Sequence, residues 1–321
     1  MLKKAISQTS ALILILTLAS CSKSITIDIM VPAAIDVPQE INTVVVVNRS
    51  LPAKGKGGDN FFEGLISGES IAGDKKGSEE CVKSLVKFLN DMPRFNAVLY
   101  TGPELPGTGT STFPVALEWE KVSILCARYN ADMLAALEVF DTDNYIAESA
   151  SRNIHSGWRL YYPATETILD ERFLFDEQTS SAGDGFVAKR LGQRKEIKEA
   201  GSFVGEQYGF HISPGWIAVK RYYYVKKELK PGRAFVLNED WEGAKLYWQS
   251  IAEAHSKTKI QAMACYNIAF ANEMTGSFEE ALEWAKRAGK MGLEAGHDYA
   301  WLLAERIRDV NLLEQQLPDS E

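Results

Sequence analysis

Histidine is scarce, with four in 321 residues, and cysteine equally so, with four. No two histidines stand at HExxH spacing and no cysteines form CxxC, so the spacings that build zinc sites are missing. The chain also lacks GxxxxGK[ST]. Its nearest approach, Lys54-Gly-Lys56-Gly-Gly, is basic and Gly-rich but gives no support for a phosphate cradle. No apolar run is long enough to cross a bilayer, which takes ~20 residues. Positive charge is in deficit too: 35 Lys+Arg stand against 43 Asp+Glu, for a net charge of −8. A chain of that sign repels phosphates, so no nucleic-acid partner is expected. It also argues against electrostatic adhesion to anionic membranes, and any membrane attachment must come from elsewhere.

The first twenty residues supply that attachment. Lys3 and Lys4 give a positive start, residues 11–18 (ALILILTL) a short apolar segment, and Leu18-Ala19-Ser20-Cys21 a run of small residues ending in a thiol. This is the pattern of a cleaved export signal over residues 1–20. Its ending resembles the lipobox of bacterial lipoproteins, which implies that Cys21 takes a diacylglycerol and ties the chain to a membrane. Acyl chains contribute about 0.8 kcal/mol per buried CH₂, so several together anchor stably. By resemblance to Gram-negative lipoproteins, Ser22 in place of Asp implies the outer membrane. No acidic run follows Cys21, which favours the periplasmic face, with surface exposure as the alternative.

The other cysteines, Cys81, Cys126 and Cys265, are odd in number and widely spaced. They read as small buried hydrophobes, while a disulfide between two of them stays open. Hydrophobic residues make up 45% and charged residues 24%, a globular composition with length for about two domains.

Residues 21–40 read as a tether, with Pro32 and Pro38 opposing helix. An α/β domain with a mixed sheet is expected over residues 41–230. Residues 41–48 (INTVVVVN) form a β-branched run of the kind buried on both faces of a sheet. Residues 78–90 predict a helix capped by Ser78, with Val82, Leu85, Val86 and Leu89 on one face. Residues 95–101 read as a strand, 119–129 as a helix, 131–140 as a strand and 157–176 as a hairpin turning at 163–165. Residues 185–207 read as a charged helix, and 216–225 as a last strand completing the domain.

The order of these elements, with residues 43–50, 130–143 and 157–170 carrying it, resembles the N-terminal domain of the TolB type. The same fold is implied for lipoproteins of the curli-export and penicillin-binding-protein-activator groups. The chain also resembles an uncharacterised family of Gram-negative lipoproteins that join this domain to tetratricopeptide repeats. The resemblance implies a fold and no activity.

Residues 231–321 read as an all-α module. Residues 262–289 resemble a tetratricopeptide repeat, a helix–turn–helix unit of ~34 residues. Ala269, Ala281, Ala285 and Ala288 stand where helices cross closely, Ile268 fills the large apolar position, and Gly276 makes the turn. Trp241–Trp248 repeats the second helix in part, and a terminal helix is expected near residues 297–316. Such modules bind peptides in the groove of their first helices. The positions matching that groove are Met263, Tyr266, Asn267, Phe270, Glu273 and Met274. Against this stands a second reading, that these residues pack on the neighbouring domain.

Other candidates are weaker. Gly68-Glu-Ser70-Ile-Ala72 approaches a nucleophile elbow but lacks the strand before it. Asp141-Thr-Asp143-Asn144 starts like a calcium loop, then places Tyr145 where a ligand is needed. No catalytic residue, metal or cofactor is expected. The sequence therefore predicts a membrane-anchored, non-enzymatic scaffold that binds an envelope protein. Its rivals are a self-assembling or regulatory component of an envelope secretion or assembly system, as a homo-oligomer, and an envelope glycan hydrolase.

Overall fold

The computed structural model describes residues 22–51, 70–108, 112–145, 150–180, 186–254 and 256–318. The export signal, Cys21, the Lys54–Lys56 loop, the start of the elbow-like segment at Gly68 and His255 lie outside the described residues. The chain divides into two units. One comprises residues 30–216 with 312–321, and the other residues up to 29 with 217–311.

The first unit is the expected α/β domain. Its five-stranded sheet has the order β3 (Asn96–Leu99), β2 (Thr43–Asn48), β4 (Met133–Tyr145), β5 (Ala150–Tyr162), β6 (Thr167–Ser180). β2 pairs in parallel with both β3 and β4, while β4–β5 and β5–β6 are antiparallel, so the sheet is mixed. The valine run of β2 explains its central place. Val44 and Val46 face one core and Val45 and Val47 the other, all fully buried. On the first face lie α1 (Ser70–Asp91) and α3 (Phe186–Ile212), through Cys81, Leu85, Phe88 and Val204, Tyr208, Ile212. On the second lies α2 (Trp119–Tyr129), through Val122, Leu125 and Cys126. Asn130, in left-handed conformation at φ 49°, ends α2, and its N–H donates back to the Ala127 and Cys126 carbonyls.

α1 and α3 approach closely because α3 carries a glycine every fourth residue. A Cβ on Gly201 would meet the Gly77 carbonyl, one on Gly205 the Cys81 carbonyl, and one on Gly209 the Phe88 ring. Ser78 departs from its expected role. It lies two turns inside α1, where its hydroxyl donates to the Lys75 carbonyl (3.1 Å) and accepts from Asn48 Nδ2 (3.0 Å).

The second unit is a run of helices with a two-stranded ribbon. The helices are α4 (Gly232–Leu237), α5 (Trp241–Ala254), α6 (Thr258–Met274), α7 (Phe278–Lys290) and α8 (Glu294–Gln316), of which the last five residues belong to the first unit. Ala269, Ala281, Ala285 and Ala288 are fully buried, as their small size requires where α6 and α7 cross. Gly276, at φ 75°, makes the turn between these two helices.

Two expectations change here. The segment expected to be a tether begins with β1 (Ser22–Val31), whose Ile25 packs on the helical core. The last strand, β7 (Gly215–Tyr224), pairs with β1 instead of joining the five-stranded sheet, and its residues from 217 onward belong with the helices. The physical reason is alternation. Arg221 and Tyr223 are buried while Lys220 and Tyr222 are exposed, so β7 lays one face on the helices.

Candidate functional site

The six groove positions of α6 are brought together, and the chain's own β7 fills the place of a peptide. Asn267 is fully buried and brackets the Tyr224 backbone: its Oδ1 accepts from the Tyr224 N–H (2.7 Å) and its Nδ2 donates to the Tyr224 carbonyl (2.8 Å). A side-chain amide offers this donor–acceptor pair to an extended strand. Glu273 accepts from Arg221 Nε (2.9 and 3.0 Å) and from the Tyr299 hydroxyl (2.5 Å). Phe270 stacks on the Tyr223 ring at 5.8 Å and meets Trp241 edge-on at 5.4 Å. Tyr266 packs against Tyr224 and Tyr299, with centroids 5.2 and 4.8 Å apart, and its phenol is pushed upward by burial. Met263 is buried and Met274 half-buried in the same core. The expected open groove is thus corrected to an occupied one, because Arg221 and Tyr223 satisfy its charge and its aromatic floor from within the chain.

Sequence reasoning did not reach Arg221 and Tyr299, which complete this cluster, nor a second cluster in the α/β domain. There Glu138 is fully buried in β4. Its carboxylate accepts from Arg49 (2.7 and 2.8 Å) and from the Tyr161 hydroxyl (2.7 Å), with Arg159 at 3.7 Å. Burial raises the Glu138 carboxyl, and Arg49, Tyr161 and Arg159 oppose that rise. Arg159 also donates to the Pro114 carbonyl (2.6 Å), Arg49 to the Val115 carbonyl (3.3 Å), and the Leu117 N–H to Tyr161 (3.2 Å). The cluster therefore pins residues 114–117 to the sheet. Its one visible signal was a charge inside the apolar run of residues 133–140.

A cavity of about 430 Å³ lies at the carboxyl ends of β2 and β3. Its wall combines Val82, Leu99 and Leu105 with Lys75, Glu79 and Lys83 of α1. Crevices at the carboxyl ends of parallel strands are where α/β sheets hold small ligands.

The remaining cysteines are buried and free, and burial pushes the Cys81 thiol up and the Cys126 thiol to about 12. His211 lies 3.3 Å from Asp170, and His155 and His297 pack beside Phe173 and Gly289. Among the described residues no group of three or more acidic, histidine or cysteine side chains is placed to hold a metal ion. Among them also, no helix is long and apolar enough to cross a membrane.

A family model described as "Domain of unknown function (DUF8603)" matches residues 41–224. A second, "Domain of unknown function (DUF6340)", matches residues 230–303. The first thus ends with β7, whose later residues pack among the helices. No curated protein matches the chain. Similar solved structures include a PelC dodecamer from Paraburkholderia phytofirmans, 7% identical over 59% of this chain and 99% of that one, with a TM-score of 0.29. Others are hypothetical protein CT253 from Chlamydia trachomatis (10% identity, 53% and 97% of the chains, TM-score 0.28) and lipoprotein GNA1162 from Neisseria meningitidis (10%, 50% and 98%, TM-score 0.21). Likenesses this slight carry no argument.

Proposed function

The chain belongs to the family described as a domain of unknown function (DUF8603), and from that premise we propose that it is a lipid-anchored envelope protein that works by binding and not by catalysis. The observation that carries this is the Leu18–Cys21 ending behind a short apolar segment, with β1, the first strand among the described residues, starting at Ser22. Acyl chains on Cys21 hold the protein at the outer membrane, facing the periplasm. Two features support binding over chemistry. The buried carboxylates Glu138 and Glu273 are each held by arginine and tyrosine, which serves packing. The repeat-like helices spend their groove on β7, so a partner protein docks elsewhere on the surface.

Labelled palmitate tests the anchor. Cells expressing the chain incorporate label into it, and Cys21→Ser abolishes both the label and membrane fractionation. A labelled Cys21→Ser chain in the membrane fraction contradicts the proposal.

Self-association is the second reading, and β6 favours it. Among the described residues this 14-residue strand stands at one edge of the sheet, and edge strands present backbone groups able to pair with another copy. Sedimentation velocity of the lipidated protein in detergent then reports a discrete oligomer. A monomer at every concentration removes this reading and leaves the first untouched.

A further inference from the structure

Although the chain is acidic, one segment is rich in positive charge. Residues 220–233 hold Lys220, Arg221, Lys226, Lys227, Lys230 and Arg233 against one acid, Glu228. Arg221 is taken by Glu273. Lys220, Lys227, Lys230 and Arg233 are exposed and Lys226 half-buried, and none of the five enters an ion pair among the described residues. The backbone beneath them is fixed. Leu229 is fully buried, the Tyr247 hydroxyl donates to the Glu228 carbonyl (2.6 Å), and the Leu229 N–H donates to the Lys226 carbonyl (3.0 Å). These cations are therefore a surface of set shape and not a loose tail.

β1 delivers the N-terminus to this surface. Just past β1, Ala34 and Ile35 donate to the His211 carbonyl (3.1 and 3.2 Å), and His211 lies just ahead of β7. The end of β1 thus meets the start of β7. A pairing that joins the end of β1 to the start of β7 is antiparallel, which sets Ser22 towards the end of β7 that leads into Lys226. Ile25 accordingly packs on the same core as Tyr224 and Val225. Cys21 follows after one peptide, its Cα about 3.8 Å from that of Ser22. No slack separates an acylated Cys21 from the folded strand.

We propose that this end of the helical unit lies on the bilayer and that Lys226, Lys227, Lys230 and Arg233, with the exposed Lys23, bind anionic phospholipid headgroups. The proposal rests on the lipidation of Cys21. The anchor brings this surface towards the headgroups, and charges within about a Debye length, ~8–10 Å, of them are least screened. Net charge argued against such binding, but lipid reads the local surface, and residues 220–233 hold one acid against six cations.

The test uses the full lipidated chain in vesicles of phosphatidylcholine, with or without phosphatidylglycerol. Surface lysines are acetylated and the sites read by mass spectrometry. Phosphatidylglycerol slows labelling of Lys23, Lys227 and Lys230 about fivefold or more, and high salt restores it. Equal labelling of these three lysines with and without phosphatidylglycerol overturns the proposal. In a K227E/K230E/R233E variant, palmitate uptake persists and Lys23 loses its protection; protection of Lys23 undiminished in that variant also overturns it. Absence of palmitate from the unaltered chain overturns the anchor and this proposal together, whereas palmitate uptake with equal labelling overturns this proposal alone.

Discussion

Glu138 sits in the middle of β4 with no exposed surface, and its charge is held by Arg49 from the end of β2 and by Arg159 and Tyr161 from β5. Taking one member from a buried charge cluster strands the others, at a cost of about 3–5 kcal/mol, while replacing both charges by apolar groups is far milder. Glu138→Ala is therefore expected to lower unfolding free energy by that amount in urea titrations, and Arg49→Met with Glu138→Leu to recover much of the loss. Tyr161 gives the pH dependence. Burial first, and Glu138 second, push its phenol up from 10.0 to about 12. Burial raises Tyr208 and Tyr299 in the same direction. A pKa raised in the folded state contributes stability that is whole below about 10 and is lost as pH climbs towards about 12, because the unfolded chain releases its protons first. The urea midpoint should fall across that alkaline window. Tyr161→Phe should flatten part of the fall.

At the scale of elements, the α1–α3 contact is the most exacting. Gly205 lies under the Cys81 carbonyl, and any side chain there must force two backbones apart. Gly205→Val is expected to cost about 1–3 kcal/mol, as overpacking does, measured as a lowered midpoint of thermal unfolding. Gly292, at φ 87° with open space around it, serves as the contrasting site, where Asn should be tolerated. How far the elements were legible follows from the range of their determinants. The valine run of β2 and the apolar face of α2 are local patterns, and the structure places both where periodicity put them. The glycines of α3 were visible as letters, but their purpose depends on α1, more than a hundred residues earlier. β1 has the alternation of a strand, with Ile25, Ile27 and Ile29 on one side and Thr26 and Asp28 on the other. Its partner β7 is nearly two hundred residues away, so two prolines beyond it made a tether the simpler reading. The groove on α6 was legible as a set of six residues. Its occupant was not, because nothing local to Asn267 tells whether the backbone it brackets is a partner's or its own Tyr224.

For the whole molecule, the proposed lipid anchor at Cys21 stands one residue before β1. The α6 face that carries Asn267, Phe270 and Glu273 is covered by its own β7. Net acidity argues against a nucleic-acid partner, while residues 226–233 gather Lys226, Lys227, Lys230 and Arg233 against one acid, Glu228. The anchor and the lipid contact both depend on the mature chain starting at Cys21 with acyl chains attached. Mass spectrometry of the purified mature protein measures that directly. The account predicts an N-terminal peptide that begins at Cys21 and carries the added mass of a diacylglycerol and a further acyl group. An N-terminal peptide that begins at Met1, or that contains Cys21 without added mass, would contradict it.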